Sequence, residues 1–406
     1  MKLTQLPREF EQALPILKKI EAAGYEGYFV GGSVRDVLLG QSIHDVDIAT
    51  SAFPAEIKSI FPRTIDVGIE HGTVLVLSDE ENYEITTFRT ESTYQDFRRP
   101  DHVEFVRSLE EDLKRRDFTI NAFALKEDGT IVDLFNGLSD LENQVLRAVG
   151  NPYERFHEDA LRMMRGLRFV SQLGFTLEEK TKESIIENHA LLEKISIERI
   201  TIEFVKLLLG KNRKLGVEMF LETKCYAYCP ELKGRSEQLR LFSELPTFQL
   251  TNEVQAWVLL IDQLGIEVTD IRAFLKAWKC SNQLIRQVQQ AFKGLQWRKT
   301  ADYSQELLYD LKKESIIIVE SLLPYFDLEN QETAAIKNYE QLPIHALTDL
   351  AVNGNDLMNY YQKKGGKWLK EALEVCETAV LNGKTVNDTE SLYSYLDSYF
   401  PHLIEE

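Results

Sequence analysis

The chain has 406 residues and carries 47 Lys and Arg against 65 Asp and Glu, a formal charge of −18. With 44% hydrophobic and 10% aromatic residues it can bury real cores, which excludes a disordered tail and leaves room for two to four domains. No run of about 18 apolar residues is present, so a transmembrane helix is excluded, and MKLTQLPREFEQ lacks the apolar core of a signal peptide.

The first third mixes strands and helices. Phe10, Leu14, Leu17 and Ile20 recur at three- and four-residue steps and predict a helix over 8–23, against which Pro15 argues. Tyr28-Phe29-Val30 reads as a strand, Gly31-Gly32 as a turn, and Ser33 to Leu39 as a short helix stopped by Gly40. Asp45 to Ala49, Thr73 to Leu77 and Tyr83 to Phe88 read as further strands. Residues 89–102 are charged and loop-like, and Lys126-Glu-Asp-Gly129 marks a hairpin turn before Ile131 to Leu134.

From Asn151-Pro152, a good helix start, nearly every segment has helical periodicity, with no linker, repeat or low-complexity tract. The expected fold class is α+β: a head with a small mixed sheet and helices, followed by a long all-helical neck, body and tail. The boundaries fall at 1–148 for the head, 149–205 for the neck, 206–300 for the body and 301–406 for the tail. Cys225, Cys229, Cys280 and Cys376 are too few and scattered for a disulfide scaffold. Cys225-x-x-x-Cys229 lacks a second ligand pair for zinc, so buried thiols in a cytoplasmic chain are expected.

Charge is unevenly spread. Residues 301–406 hold 8 basic and 19 acidic side chains, whereas 271–300 hold seven Lys and Arg, no acid, and Trp278 and Trp297. Cations interleaved with tryptophans suit phosphates and stacked bases, and suit equally a solvated helix face.

The sharpest feature is FVGGSVRDVLLGQSIHDVDIA, residues 29–49. Asp45 and Asp47, two apart in an expected strand, would project both carboxylates from one face, as a pair of hard Mg²⁺ ions requires. Gly31-Gly32-Ser33 offers backbone N–H groups at a strand-to-helix turn, where phosphate oxygens can be cradled, and Arg35 follows within reach. An acid-x-acid triplet alone recurs by chance. The specificity lies in the combination of strand, Gly-Gly-Ser, helix, a gap of twelve residues from Gly32 to Asp45, and Asp-x-Asp in a strand.

On a helix, Asp159 and Arg162 would share a face three residues apart. A carboxylate acceptor beside a guanidinium donor complements the amino and ring-nitrogen edge of cytosine and of adenine. Uracil and guanine turn a carbonyl toward the carboxylate. Arg165 and Arg168 continue at three-residue steps, adding cations for base or triphosphate. Glu84 begins a strand expected beside Asp45 and Asp47 and is the candidate third carboxylate, acting on a primer 3′-OH or a metal. His44 and His71 lie near in sequence, but carboxylate chemistry needs neither.

The unit at 29–49 resembles the signature of the polymerase-β-like nucleotidyltransferase superfamily. Arg115-Arg116-Asp117-Phe-Thr-Ile-Asn121-Ala, Asp133 to Asp140, Glu158-Asp159-Ala-Leu-Arg162 with Arg165, and Ile197-Glu-Arg199-Ile with Glu203 narrow it. They resemble, in order, the motifs of the class II CCA-adding enzymes and their poly(A) polymerase relatives. Tyr94 to Pro100 with Val103-x-Phe105 is similar to the mobile loop of enzymes that add the final A. Val352-Asn-Gly-Asn-Asp356-Leu-Met, Gly365-Gly366-Lys-Trp368 and Gly383 resemble the tail that grips RNA.

The resemblance implies template-independent addition of C, C and A to the 3′ end of tRNA from CTP and ATP, with release of pyrophosphate. It implies Mg²⁺ on Asp45 and Asp47, with Gly32, Arg35 and Arg116 positioning phosphates and sugar. Asp159 and Arg162 would read the base, assisted by Arg165 and Arg168. A poly(A)- or A-adding polymerase is the alternative within this class. A non-catalytic RNA-binding protein on the same scaffold is the alternative outside it, although pure binding has no use for two bare carboxylates facing a polyanion. No membrane partner is expected, and nothing in the sequence sets an oligomeric state.

Overall fold

The first helix, α1 (Arg8–Ala22), buries Phe10, Ala13, Ile16, Leu17 and Ile20 along one stripe, at the spacing seen in the sequence. Pro15 sits inside this helix on its exposed side. Four large buried side chains, Phe10, Ile16, Leu17 and Ile20, each contributing about 1.5–3 kcal/mol, outweigh the ~3 kcal/mol cost of an interior proline. Phe10 stacks on Phe29 at 4.7 Å and ties the helix to the sheet.

The computed structural model describes residues 1–78, 81–91 and 103–401. Strand β1 (Gly27–Val30) turns through Gly31 into α2 (Gly32–Leu38), and β2 (Asp47–Thr50) leads to α3 (Pro54–Ile60). Strands β3 (Thr64–Gly68), β4 (Thr73–Leu77) and β5 (Asn82–Thr87) follow. Next, β6 (Arg89–Glu91) and β7 (Val103–Phe105) pair as a separate ribbon. After α4 (Leu109–Lys114) come β8 (Phe123–Leu125) and β9 (Ile131–Asp133). The seven-stranded sheet has the order β3-β4-β5-β2-β1-β8-β9, antiparallel except for β2 beside β5.

The register brings the sequence's motifs to one sheet end. Val30 faces Asp47 across the β1–β2 ladder, and Ile48 pairs with Ile85, which sets Glu84 beside Asp47. One expectation is corrected here: the strand expected over 45–49 runs from Asp47 to Thr50, and Asp45 precedes it. The ladder stops there because β1 ends at Val30 and the φ of 76° at Gly31 bends the chain away, so the last β1–β2 pair is Val30 with Asp47. The loop expected at Tyr94 to Pro100 lies outside the described residues.

A helix the sequence did not announce, α5 (Gly137–Glu142), comes next; from Asn151 helices follow as expected: α6 (Pro152–Glu158), α7 (Leu161–Leu173), α8 (Glu179–Asn188), α9 (Ile197–Leu208), α10 (Arg213–Glu222) and α11 (Ser236–Glu244). Asn151 caps α6 by accepting the Tyr153 N–H at 3.1 Å. Close approach holds α7 in place: a Cβ at Gly210 would lie 2.1 Å from Ser171 Oγ, and one at Gly216 2.5 Å from Ser171 Cβ.

These elements form one compact unit, Met1–Gln249; Leu250–Glu406 form another, and the 206–300 stretch expected as a body straddles that boundary. The second unit contains α12 (Glu253–Gln263), α13 (Ile271–Ala277), α14 (Asn282–Arg298), α15 (Gln305–Leu322), α16 (Glu332–Glu340), α17 (Gly354–Tyr360), α18 (Lys367–Leu381) and α19 (Thr389–Tyr399). Trp278 is fully buried, edge-on to Trp257 at 5.2 Å, so it is core and offers no face to a base. Trp297 is 45% exposed. Three of the seven cations in 271–300 pair with acids from outside the stretch: Lys293 with Asp310, Arg298 with Glu320, and Lys299 with Asp262. Arg272, Lys276, Lys279 and Arg286 stand exposed. All four cysteines are buried and free. Among the described residues, no helix is long and apolar enough to cross a membrane.

Candidate active site

A cleft of about 840 Å³ in the first unit is lined by nine Arg and Lys side chains against four Asp. Cations so concentrated in an acidic chain create a strongly positive local field, the requirement for a polyphosphate ligand. Its floor is the β1–α2 turn. A Cβ built on Gly31 would lie 3.2 Å from Arg116 Nη1 and 3.7 Å from Asp47 Oδ2. Guanidinium and carboxylate therefore converge over backbone that only glycine can supply, both for its positive φ and for this crowding.

Asp45 and Asp47 both line this cleft, and both line a neighbouring cavity of about 360 Å³ that Glu84 also borders. Desolvation at the strand end, then the charges of Glu84 and Asp45, raise the Asp47 carboxyl above its ordinary pKa, while Arg116 opposes them. Among the described residues, no three His, Cys, Asp or Glu side chains gather into a metal-holding group. Two carboxylates at one end of a cationic cleft nevertheless suit a hard divalent cation, which takes oxygen ligands and can fill its shell with substrate oxygens and water.

The cations are held by buried partners. Arg35 donates to Asn121 Oδ1 at 2.6 Å and to Asp36, and packs over the Phe169 ring at 5.1 Å. Arg165 pairs with buried Asp117 at 2.6 Å, and Arg168 with buried Glu203 at 2.9 Å. Asp117 also accepts from Asn121 Nδ2 at 3.1 Å, so one carboxylate fixes Arg165 directly and Arg35 through an amide. Burial pushes Asp117 up, but the Arg165 charge, the Asn121 hydrogen bond and the Arg162 charge outweigh it and hold the carboxyl well below its ordinary range. Burial pulls the Arg168 guanidinium down, partly offset by Glu203.

The selecting pair differs from expectation. Asp159 is not in a helix: α6 ends at Glu158, Asp159 is extended at φ −138° and ψ 104°, and α7 starts at Leu161. Its carboxylate accepts the Leu161 N–H at 3.0 Å, and its carbonyl accepts the Arg162 N–H at 3.0 Å. Asp159 thus caps the incoming helix by competing with the helical backbone for hydrogen bonds, and this breaks the run. Asp159 and Arg162 still line the same cleft. Asp159 is steadied by Arg199 at 2.7 Å, and Arg162 by Glu158 at 3.3 Å.

Gly32, Arg35, Arg116, Asp159, Arg162, Arg165 and Arg168 all line the one cleft with Asp45 and Asp47, and Glu84 borders the adjoining cavity. Arg115, Asn121, Gln172, Arg199 and Lys206 line the cleft too and were not foreseen as site residues. The signal for Arg199 lay in Ile197-Glu-Arg199-Ile, but its partner is 40 positions upstream.

The first unit thus joins a mixed sheet bearing two carboxylates to a helix lined with arginines, the construction of a nucleotidyltransferase. Residues 27–147 match the model for the poly(A) polymerase head domain, and 174–234 that for the probable RNA and SrmB-binding site of polymerase A. Residues 248–396 match a putative tRNA nucleotidyltransferase domain 2. The CCA-adding enzyme of Enterococcus faecalis is 58% identical over 97% of each chain, and that of Ligilactobacillus salivarius 51% identical over 97% of each. The solved Bacillus stearothermophilus CCA-adding enzyme, in complex with CTP, is 41% identical with a TM-score of 0.90, over 98% of this chain and 99% of that one. The chain belongs to the CCA-adding enzyme family.

Asp117 gives a pH prediction. Its folded-state pKa is depressed, so its stabilisation is complete above the unfolded value of about 4 and is lost as pH falls through the folded value. Asp117→Asn should cost about 1.5–3 kcal/mol at pH 7, the loss of a charge-assisted bond partly screened at the exposed edge of Arg165. In urea melts the difference from wild type should shrink below about pH 4. A difference constant with pH would mean that the carboxylate charge is not what holds Arg165.

Proposed function

We infer that the protein extends the 3′ end of tRNA with C, C and A, taking CTP and ATP without a nucleic-acid template and releasing pyrophosphate. The observation that carries this reading is the meeting, in one cationic cleft, of the Asp45 and Asp47 carboxylates with the Asp159–Arg162 pair. Binding of CTP and tRNA, and residence in the cytoplasm, belong to the same reading; four free buried thiols suit a reducing compartment. The head, 1–148, would carry the chemistry and the neck, 149–205, the base selection. The helical stretches 206–300 and 301–406 would hold the RNA by shape and backbone charge.

Asp45 and Asp47 would hold Mg²⁺, which when bound lowers the pKa of the primer 3′-OH and neutralises charge on the triphosphate. Gly31 and Gly32 admit the triphosphate against the backbone, and Arg35 and Arg116 orient phosphates and sugar. Glu84, beside Asp47, would face the primer 3′-OH as a proton acceptor or complete the acidic site. Arg165 and Arg168, each paired with a buried carboxylate, would serve chiefly as a rigid wall of hydrogen-bond donors beside the base and triphosphate.

The decisive experiment supplies each nucleotide singly and in pairs to tRNA ending before C, tRNA ending after CC, and unrelated RNA. Addition of C, C and A confined to tRNA supports the reading; ATP tailing of unrelated RNA would support the polymerase alternative. In the same assay Asp45→Ala or Asp47→Ala should abolish addition while tRNA binding persists. Wild-type turnover in either variant would defeat their assignment as metal ligands.

Asp159→Ala should lose discrimination more than capacity. C and A lose a charge-assisted bond of about 1.5–3 kcal/mol, while U and G no longer meet a repelling carboxylate. Measurable UMP or GMP incorporation is expected, with CTP and ATP efficiency reduced. Arg162→Ala should reduce C and A addition with little gain for U or G. Full efficiency and intact exclusion in Asp159→Ala would refute the pairing.

For RNA binding, the exposed Lys276, Lys279 and Arg286 remain the candidates from 271–300. Their joint replacement by Ala should weaken tRNA association and reduce the salt slope by about 0.7–0.9 for each phosphate that is no longer neutralised. An unchanged slope would return the stretch to a solvated face.

A further inference from the structure

Asp112 stands behind the cleft wall, 1% exposed, and holds two of the cleft's cations. It lies in the last turn of α4, which ends at Lys114, so that Arg115 and Arg116 leave the helix directly over it. Its Oδ1 accepts from Arg115 Nε at 3.0 Å, from Arg115 Nη2 at 2.7 Å and from the Arg89 backbone N–H at 3.4 Å. Its Oδ2 accepts from Arg116 Nη2 at 3.2 Å. One buried carboxylate against two guanidiniums leaves a net positive charge on the cleft wall.

The geometry of Arg116 shows what that anchor does. Nη2 is tied back to Asp112, while Nη1 donates to the Asn121 carbonyl at 3.3 Å and faces the Gly31 turn. The Asp47 carboxylate lies at the same turn, its Oδ2 3.7 Å from the position a Gly31 Cβ would take. Without Asp112 the guanidinium would have Asp47 as its neighbouring anion, and pairing there would occupy the oxygens that a cation needs. We propose that Asp112 is a positioning residue for nucleotidyl transfer: it anchors Arg116, keeping the guanidinium turned to the ligand and Asp47 free to bind a divalent cation. The proposal rests on the reading of Asp47 as a metal ligand.

The test uses Mn²⁺ alone, titrated into the RNA-free full chain and followed by electron paramagnetic resonance, together with kcat for CMP addition. Asp112→Asn should weaken Mn²⁺ binding and lower kcat by roughly 10–100-fold, the range for outer-shell partners of metal sites, with tRNA affinity unchanged. In an Arg116→Ala background the same substitution should change Mn²⁺ affinity no further, because the anchor acts through Arg116. Unchanged Mn²⁺ binding in Asp112→Asn, or an equal loss with and without Arg116, would overturn the proposal and leave Asp112 a packing residue. If Asp112→Asn does not fold, Asp112→Glu, which keeps the charge but moves it by one methylene, carries the same comparison. Absence of Mn²⁺ binding in the wild type would instead refute the metal reading of Asp47, whatever Asp112 does.

Discussion

Like charges must be crowded together before any ligand arrives, and the rest of the first unit is arranged around that constraint. Nine cations converge on one cleft, and their mutual repulsion would splay them into water if each were free to move. The fold answers with buried acids placed behind the wall: Asp112 for Arg115 and Arg116, Asp117 for Arg165, Glu203 for Arg168. Each acid fixes a guanidinium through hydrogen bonds with defined directions. A site built this way presents a preorganised field to a triphosphate and does not spend binding free energy on ordering long side chains.

The same construction would suit the proposed selection of a base by Asp159 and Arg162 without a template. A nucleic-acid template discriminates because its donor and acceptor edges are rigid; two side chains can imitate it only if they are equally fixed. Asp159 is fixed at its backbone by the turn between α6 and α7, and at its carboxylate by Arg199 and the Leu161 N–H. Arg162, on the first turn of α7, is fixed by Glu158. The helix break that the sequence pattern did not foresee is therefore what orients the acceptor. A continuous helix would carry Asp159 on its surface with freedom at both side-chain torsions.

Much of this was legible in the residues. The strand, Gly-Gly turn and helix at 27–38 emerge at the predicted places because alternation, positive-φ glycines and a helical run are local signals. The strand expected over 45–49 was displaced because the end of a strand is set by its neighbour, and β1 turns away at Gly31. Asp159 was misplaced because Asp competes for helix backbone, an effect visible only once the Leu161 N–H is seen to bond it. Trp278 was misread because its partner, Trp257, lies 21 residues away, and the charge of its neighbours says nothing about which face of α13 is buried. Sequence patterns carry contacts within a turn or a strand, whereas the acids behind the cleft are tertiary. Arg199 meets Asp159 across 40 positions and Arg165 meets Asp117 across 48, and neither spacing has a signature.

Net charge shows the same division most sharply. A chain at −18 ought to repel RNA, and the acidic stretch 301–406 ought to do so more strongly still. Electrostatic attraction, however, is decided within about 8–10 Å at physiological ionic strength, so distant acids are screened while a local cluster is not. A strongly acidic exterior then has a use: it opposes adsorption of nucleic acid anywhere except where cations are gathered. At the acidic end of the cleft the balance reverses again: Asp45 and Asp47, with Glu84 in the adjoining cavity, would repel a primer terminus unless a divalent cation lay between them. That repulsion makes the arrangement conditional. On that reading a 3′ end would settle beside the carboxylates only with a cation between them, so the charges that would prepare the reaction would also hold back an RNA end that has nothing to react with.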